Sequence, residues 1–208
     1  MAQRAAGFVF EVRWGRLLAS LPVLVSRRIF ATAATVVAAF SLVAAEGAVG
    51  VPDETLIASS STCPGSRSLK VTPAARRAAL LCLINYARGT VGLGKVRESR
   101  TLASVARAKG RDVVECSDFD HDACGKDPFA YVISSGFPYR FVGENLFYSQ
   151  RPIGSARDAF VAWLRSPPHR EVMFLPGFSH AGTAVFKLKR FSDTPRVELW
   201  ILELAEKS

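Results

Sequence analysis

Apolar residues recur at helical spacing in the first part of the chain after residue 70 and at strand spacing towards its end. Thr72 offers a capping hydroxyl and Pro73 suits a first helical turn. Leu80, Leu83, Ile84 and Ala87 then fall at i, i+3, i+4 and i+7, which predicts a helix to about Thr90, ended by Gly89, Gly92 and Gly94. A second helix is predicted over about 100–114, with Leu102, Val105, Ala106 and Val113 inward. Arg107, Lys109 and Arg111 are read as its solvated face. Asp127-Pro128 opens a short helix that stops at Gly136, and Phe137-Pro138-Tyr139 leads to Gly143. There a Gly143-Glu144-Asn145 turn is expected to run into a strand at Leu146-Phe147-Tyr148.

Ser155 with Asp158 three residues later has the form of a capping box, opening a helix whose apolar stripe is Phe160, Trp163 and Leu164. Pro167-Pro168 breaks that helix and presents His169 at the start of a new turn. Residues 183–188 and 196–204 read as strands joined by a turn at Ser192-Asp193-Thr194-Pro195. Val197, Leu199 and Ile201 lie on one face of the last strand and Trp200 and Leu202 on the other, so helices are expected to cover it on both sides. Helices first, then strands interleaved with helices, make the class α+β.

The N-terminal stretch has a different pattern. Residues 29–45 carry no charge, follow Arg27-Arg28 and end in small residues, so residues 1–45 read as a signal peptide or an N-terminal membrane anchor. The run is short and alanine-rich for a bilayer span of ~20 residues, which favours cleavage near 45–48. Ser26-Arg27-Arg28-Ile29-Phe30 resembles a twin-arginine export signal, and Sec export fits as well. Residues 46–71, with their serines, prolines and Gly65, read as a linker, leaving 72–206 as the domain. The expected localisation is secreted or extracytoplasmic, with membrane contact only through the N-terminal segment.

The net charge of +9 shrinks once that segment is set aside, because residues 1–45 hold five arginines against one glutamate. What remains is mildly basic, without a stripe of lysine and arginine interleaved with aromatics, so nucleic acid is not an expected partner. Attraction to an anionic envelope component fits better. All four cysteines follow the leader, as in an oxidising compartment. Of the three possible pairings we favour Cys63 with Cys82, which staples the polar segment to the first helix, and Cys116 with Cys124, which closes a loop carrying His121. A cysteine metal site is the rival, but no Cys-x-x-Cys knuckle is present.

No Gly-x-Ser-x-Gly elbow, His-Glu-x-x-His pair or phosphate loop occurs, and no residue is assigned a catalytic role. His180 is read as structural. His121, Glu144 and His169, by contrast, each sit where regular structure is expected to break, which frees polar side chains to converge on one cleft. Two imidazoles so placed could bind a divalent cation such as zinc, with His121 and His169 as ligands and a carboxylate beside the bound water.

The order of these pieces is His121 beside Asp122, then Gly143-Glu144-Asn145-Leu146, then a helix carrying Trp163 and ending Ser166-Pro167-Pro168-His169-Arg170. It resembles the CAP superfamily of cysteine-rich secretory proteins, venom antigens and plant pathogenesis-related proteins, over about residues 74–204. The resemblance implies a three-layer α-β-α sandwich with a central antiparallel sheet. It also implies a cavity lined by two histidines and two glutamates. His121, Glu144 and His169 match three of these; the second glutamate, three residues after the helix tryptophan, falls on Ser166. Asn145 and Ser166 are expected to complete the hydrogen bonding, with Glu171 as a substitute carboxylate. Relatives have been linked to sterols, fatty acids and other lipids, to cell-surface partners and to divalent metals, with no shared reaction. The resemblance therefore implies a secreted, monomeric, non-catalytic module for a small apolar ligand or an envelope component. A metal-dependent hydrolase using the same cleft is the alternative.

Overall fold

A computed structural model describes residues 53–208 together with the backbone of a two-residue strand, β1 (Arg13–Trp14). The uncharged run 29–45 lies outside the described residues.

The first helices form where local chemistry asks for them. After a one-turn helix α1 (Asp53–Leu56) comes α2 (Pro73–Thr90), whose N-cap Thr72 accepts from Ala75 N at 3.2 Å. A two-residue strand β2 (Arg97–Glu98) precedes α3 (Arg100–Glu115), capped by Ser99. A 3-10 turn at Ala123–Gly125 and a short helix α4 (Ala130–Ser134) lead to the long strand β3 (Tyr139–Gln150). The Ser155/Asp158 capping box opens α5 (Ala156–Leu164). The proline pair then starts α6 (Pro167–Phe174), because a fixed φ and a missing N–H cost nothing in a first turn. Strands β4 (His180–Phe191) and β5 (Thr194–Lys207) end the chain. Their hairpin turns on Ser192-Asp193 alone, Ser192 at φ 48°, so Thr194 and Pro195 belong to the strand.

The sheet runs β1-β3-β5-β4-β2. Its three long strands are antiparallel, and β2 runs parallel to β4. Central β5 is buried along most of its length and its faces alternate as expected. Trp200, Leu202 and Leu204 pack with Leu80, Leu83, Phe160, Trp163 and Met173 of α2, α5 and α6. Leu199 and Ile201 pack with Ala106 and Val113 of α3, and Ala205 joins Leu102 and Val105. The result is the expected α-β-α sandwich with two cores, one on each face.

Three further expectations are corrected. Residues 53–71 are packed against the domain rather than acting as a linker: Leu56, Ala58 and Cys63 are core residues, and Asp53 pairs with Arg170 of α6. Serine and proline content misleads there because two apolar side chains, one disulfide and one ion pair hold the segment. Gly143-Glu144-Asn145 is not a turn but part of β3. A Cβ on Gly143 would lie 3.0 Å from Val172 and 3.1 Å from Phe178, so this glycine serves the close approach of α6 and the loop after it. Lys109 does not face solvent; it is 3% exposed.

The two favoured disulfides, Cys63–Cys82 and Cys116–Cys124, are both present, and no cysteine is free. Close packing of α3 on the sheet depends on Gly182, where an added Cβ would meet the α3 backbone at 2.0 Å from the Leu102 carbonyl carbon. Gly182→Ala is therefore expected to cost about 2–3 kcal/mol, because backbone cannot rotate away as a side-chain tip can. Urea unfolding measures it; a midpoint unchanged from wild type would show that α3 can lift at no cost.

Candidate functional site

Strand β3 places two polar residues side by side in the chain and on opposite faces of the sheet. Glu144 faces the α3 layer, with Val142 and Leu146, whereas Asn145 faces α5 and α6. Glu144 is met by the imidazole of His121, and Asn145 by the backbone carbonyl of His169, whose own imidazole lies near enough to His121 for the two to interact.

On the α3 side, the loop after the helix carries His121. Three contacts hold it: the Cys116–Cys124 bridge, Asp120 Oδ1 accepting from His121 N at 2.6 Å, and Lys109 Nζ donating to the His121 carbonyl. His121 Nδ1 then lies 2.6 Å from Glu144 Oε1. A carboxylate oxygen accepts, so Nδ1 is the nitrogen that carries hydrogen. Lys109 Nζ is also 3.7 Å from Glu144 Oε1, which supplies the countercharge for a carboxylate only 5% exposed.

On the other side, Pro167-Pro168 set His169 in the first turn of α6. Ser166 stands at the N-cap but does not cap the helix; its Oγ is 2.8 Å from His169 Nδ1. Asn145 Nδ2 donates to the His169 carbonyl at 3.0 Å, and Trp163 Nε1 donates to the Leu146 carbonyl, tying α6 and α5 to β3. The far end of α6 is fixed by Arg88 of α2, fully buried, which donates to the carbonyls of Gly94, Met173, Leu175 and Phe178. Burial alone lowers the Arg88 guanidinium to about 10. His169 is 7% exposed, and burial first, the neighbouring His121 second, lower it to about 4, so it is neutral at neutral pH.

The structure thus joins His121 with Glu144, and Asn145 and Ser166 with His169. Glu171 is exposed and takes no part. His180 is apart, its Nδ1 2.9 Å from Ser179 Oγ and its ring edge-on to Phe137. A surface groove of about 440 Å³, lined by Ser60, Gly65, Arg67, Ser68, Leu69 and Lys70, shares none of these residues. Sequence reasoning missed Lys109 and Glu203. Glu203 lies opposite Glu144 in the β3–β5 register, and burial together with Glu144 pushes its carboxyl well above the usual carboxylate range. Among the described residues no group of three or more His, Cys, Asp or Glu side chains is placed to hold a metal ion. The Nδ1 atoms of the two imidazoles are met by Glu144 Oε1 and Ser166 Oγ.

The long strands form an antiparallel sheet sandwiched by helices, with Glu144 of β3 paired to His121 of the loop after α3. The sequence profile of the CAP, cysteine-rich secretory protein family matches residues 81–201, more than half the chain, and the chain belongs to that family. It is 33% identical over 101 residues to the uncharacterized protein YkwD of Bacillus subtilis (strain 168), a match covering 48% of this chain and 38% of YkwD. Three solved structures share the fold. An extracellular protein containing a SCP domain from Bacillus anthracis str. Ames has a TM-score of 0.52 at 19% identity, covering 67% of this chain and 45% of that one. An outer surface protein from Borrelia burgdorferi has a TM-score of 0.56 at 17% identity, covering 66% and 97%. A cysteine-rich secretory protein from Staphylococcus aureus subsp. aureus Mu50 has a TM-score of 0.53 at 18% identity, covering 67% and 41%. The chain therefore spans less than half the length of YkwD and of two of these three proteins.

Proposed function

We propose that this CAP domain is a non-catalytic extracytoplasmic module that binds a small apolar ligand or an envelope component between His121, Glu144 and His169. One observation carries the reading: the polar groups are engaged with one another. Glu144 receives His121 and Lys109, Ser166 meets His169, and Asn145 holds the His169 carbonyl. Such a set shapes and rigidifies a polar rim. Support for an extracytoplasmic place comes from the two disulfides and from relatives described as extracellular or outer surface proteins. Among the described residues no helix is long and apolar enough to cross a membrane.

Native mass spectrometry of the protein purified from its own envelope fraction tests this. The expected result is a co-purified apolar molecule that is lost in His169→Ala while the fold persists. An unliganded mass throughout would end the reading. So would turnover of an ester or amide substrate abolished by His121→Ala, which would restore the hydrolase alternative.

A further inference from the structure

Position 166, where the family places a second glutamate, holds a serine, yet the site does have a second carboxyl group. Glu203 of β5 faces Glu144 of β3 directly across the antiparallel ladder, and directly opposed side chains of such a pair lie on the same face with close Cβ atoms. Glu203 is fully buried. From β3 comes Glu144. From α3 comes Lys109, whose ammonium is already committed to Glu144 and to the His121 carbonyl. The loop after α3 brings His121, which is bound to Glu144. From β4 the register partner is Gly182, which has no side chain and whose open face is filled by the α3 backbone. No donor is aimed at Glu203: both of its carboxyl oxygens, and Oε2 of Glu144, are buried without a partner.

Two ionised carboxylates cannot stand so. One buried ammonium balances one of them, and a second buried charge with both oxygens unsatisfied has nothing to offset its lost hydration. A single proton resolves both problems, turning one Glu203 oxygen into a donor and giving Glu144 Oε2 the partner it lacks. We infer that Glu203 is the second carboxyl group of this site and stands there protonated, donating to Glu144 so that Glu144 is held to receive His121 Nδ1–H. Glu203 is thus a positioning residue, acting on the imidazole through Glu144. The direction in which burial and Glu144 move its carboxyl agrees.

The functional meaning of this arrangement rests on the proposed binding reading, but its test reads a proton rather than a ligand. The full chain, labelled at glutamate carboxyl carbons, is examined by NMR at neutral pH. One carboxyl resonance is expected at the position of a protonated acid and is expected to vanish in Glu203→Gln. Because a neutral amide can still donate, the hydrogen-bonded His121 Nδ1–H resonance should survive in Glu203→Gln and be lost in Glu203→Leu and Glu144→Leu. An ionised Glu203 in the wild type overturns the inference, as does loss of the Nδ1–H resonance in a folded Glu203→Gln. Should Glu203→Leu fail to fold, the wild-type spectrum and the glutamine variant decide by themselves. An unliganded protein with a protonated Glu203 sinks the binding reading and leaves this assignment standing; a liganded protein with an ionised Glu203 does the reverse.

Discussion

Lys109→Met is expected to destabilise the domain by about 3–5 kcal/mol at neutral pH, the range for removing one partner from a buried ion pair. The methionine fills the space of the alkyl stem, so the loss isolates the charge. Without the ammonium, the Glu144 carboxylate stays at 5% exposure and loses its lysine, keeping the hydrogen bond from His121 and the proposed one from Glu203. The His121 carbonyl also loses its donor, and the loop is left to the disulfide and Asp120. Urea unfolding of the purified domain gives the number. Adding Glu144→Gln to Lys109→Met should recover part of the loss, since the stranded charge goes with it. A drop below about 1 kcal/mol, with no recovery in the double variant, would mean that Lys109 is solvated after all.

Acid should weaken the fold through His169. In the unfolded chain this imidazole takes up a proton near 6.5; in the folded protein it does so only at about 4. Over that interval protons bind the unfolded chain preferentially. The contribution of His169 is therefore fully present above about pH 6.5 and is lost as pH falls towards 4, amounting to about 3 kcal/mol in all. His169→Gln, which keeps a polar side chain that does not titrate, should flatten the stability profile between pH 6.5 and 4. An equally steep profile in that variant would assign the acid sensitivity to other groups.

The parts of the fold that were legible are those in which local and long-range requirements coincide. The Thr72-Pro73 cap, the Ser155/Asp158 box and the two-faced apolar pattern of β5 each need only neighbouring residues to be read, and each is found. His121, Glu144 and His169 could be named because each stands beside a local break signal, a loop between cysteines, a glycine or a proline pair, and because their order resembles the CAP superfamily. Lys109 could have been named too. Leu102, Ala106, Lys109 and Val113 fall at i, i+4, i+7 and i+11, so the lysine is on the buried stripe of α3; its basic neighbours Arg107 and Arg111 concealed that. Glu203 carries a similar signal, following Val197, Leu199 and Ile201 at period two in a strand covered on both sides. A carboxylate at such a position demands a partner, but the partner comes from β3 and α3, and no local pattern names it. Gly143 misled because glycine serves turns and close contacts alike, and only the approach of Val172 and Phe178 separates the two uses.

Glu144 and Asn145 are neighbours in the chain and belong to different layers of the protein. One residue gained or lost in β3 ahead of them would exchange their faces, sending the carboxylate towards Trp163 and the carboxamide towards Lys109, and neither histidine would find its partner. The Ser192-Asp193 hairpin lies at the other end of β5 and sets no such parity for β3. Variation in length should therefore be tolerated at that hairpin and excluded from residues 139–145, so that the spacing of a seven-residue stretch, more than the identity of any single side chain in it, is what descent must preserve for this site to exist.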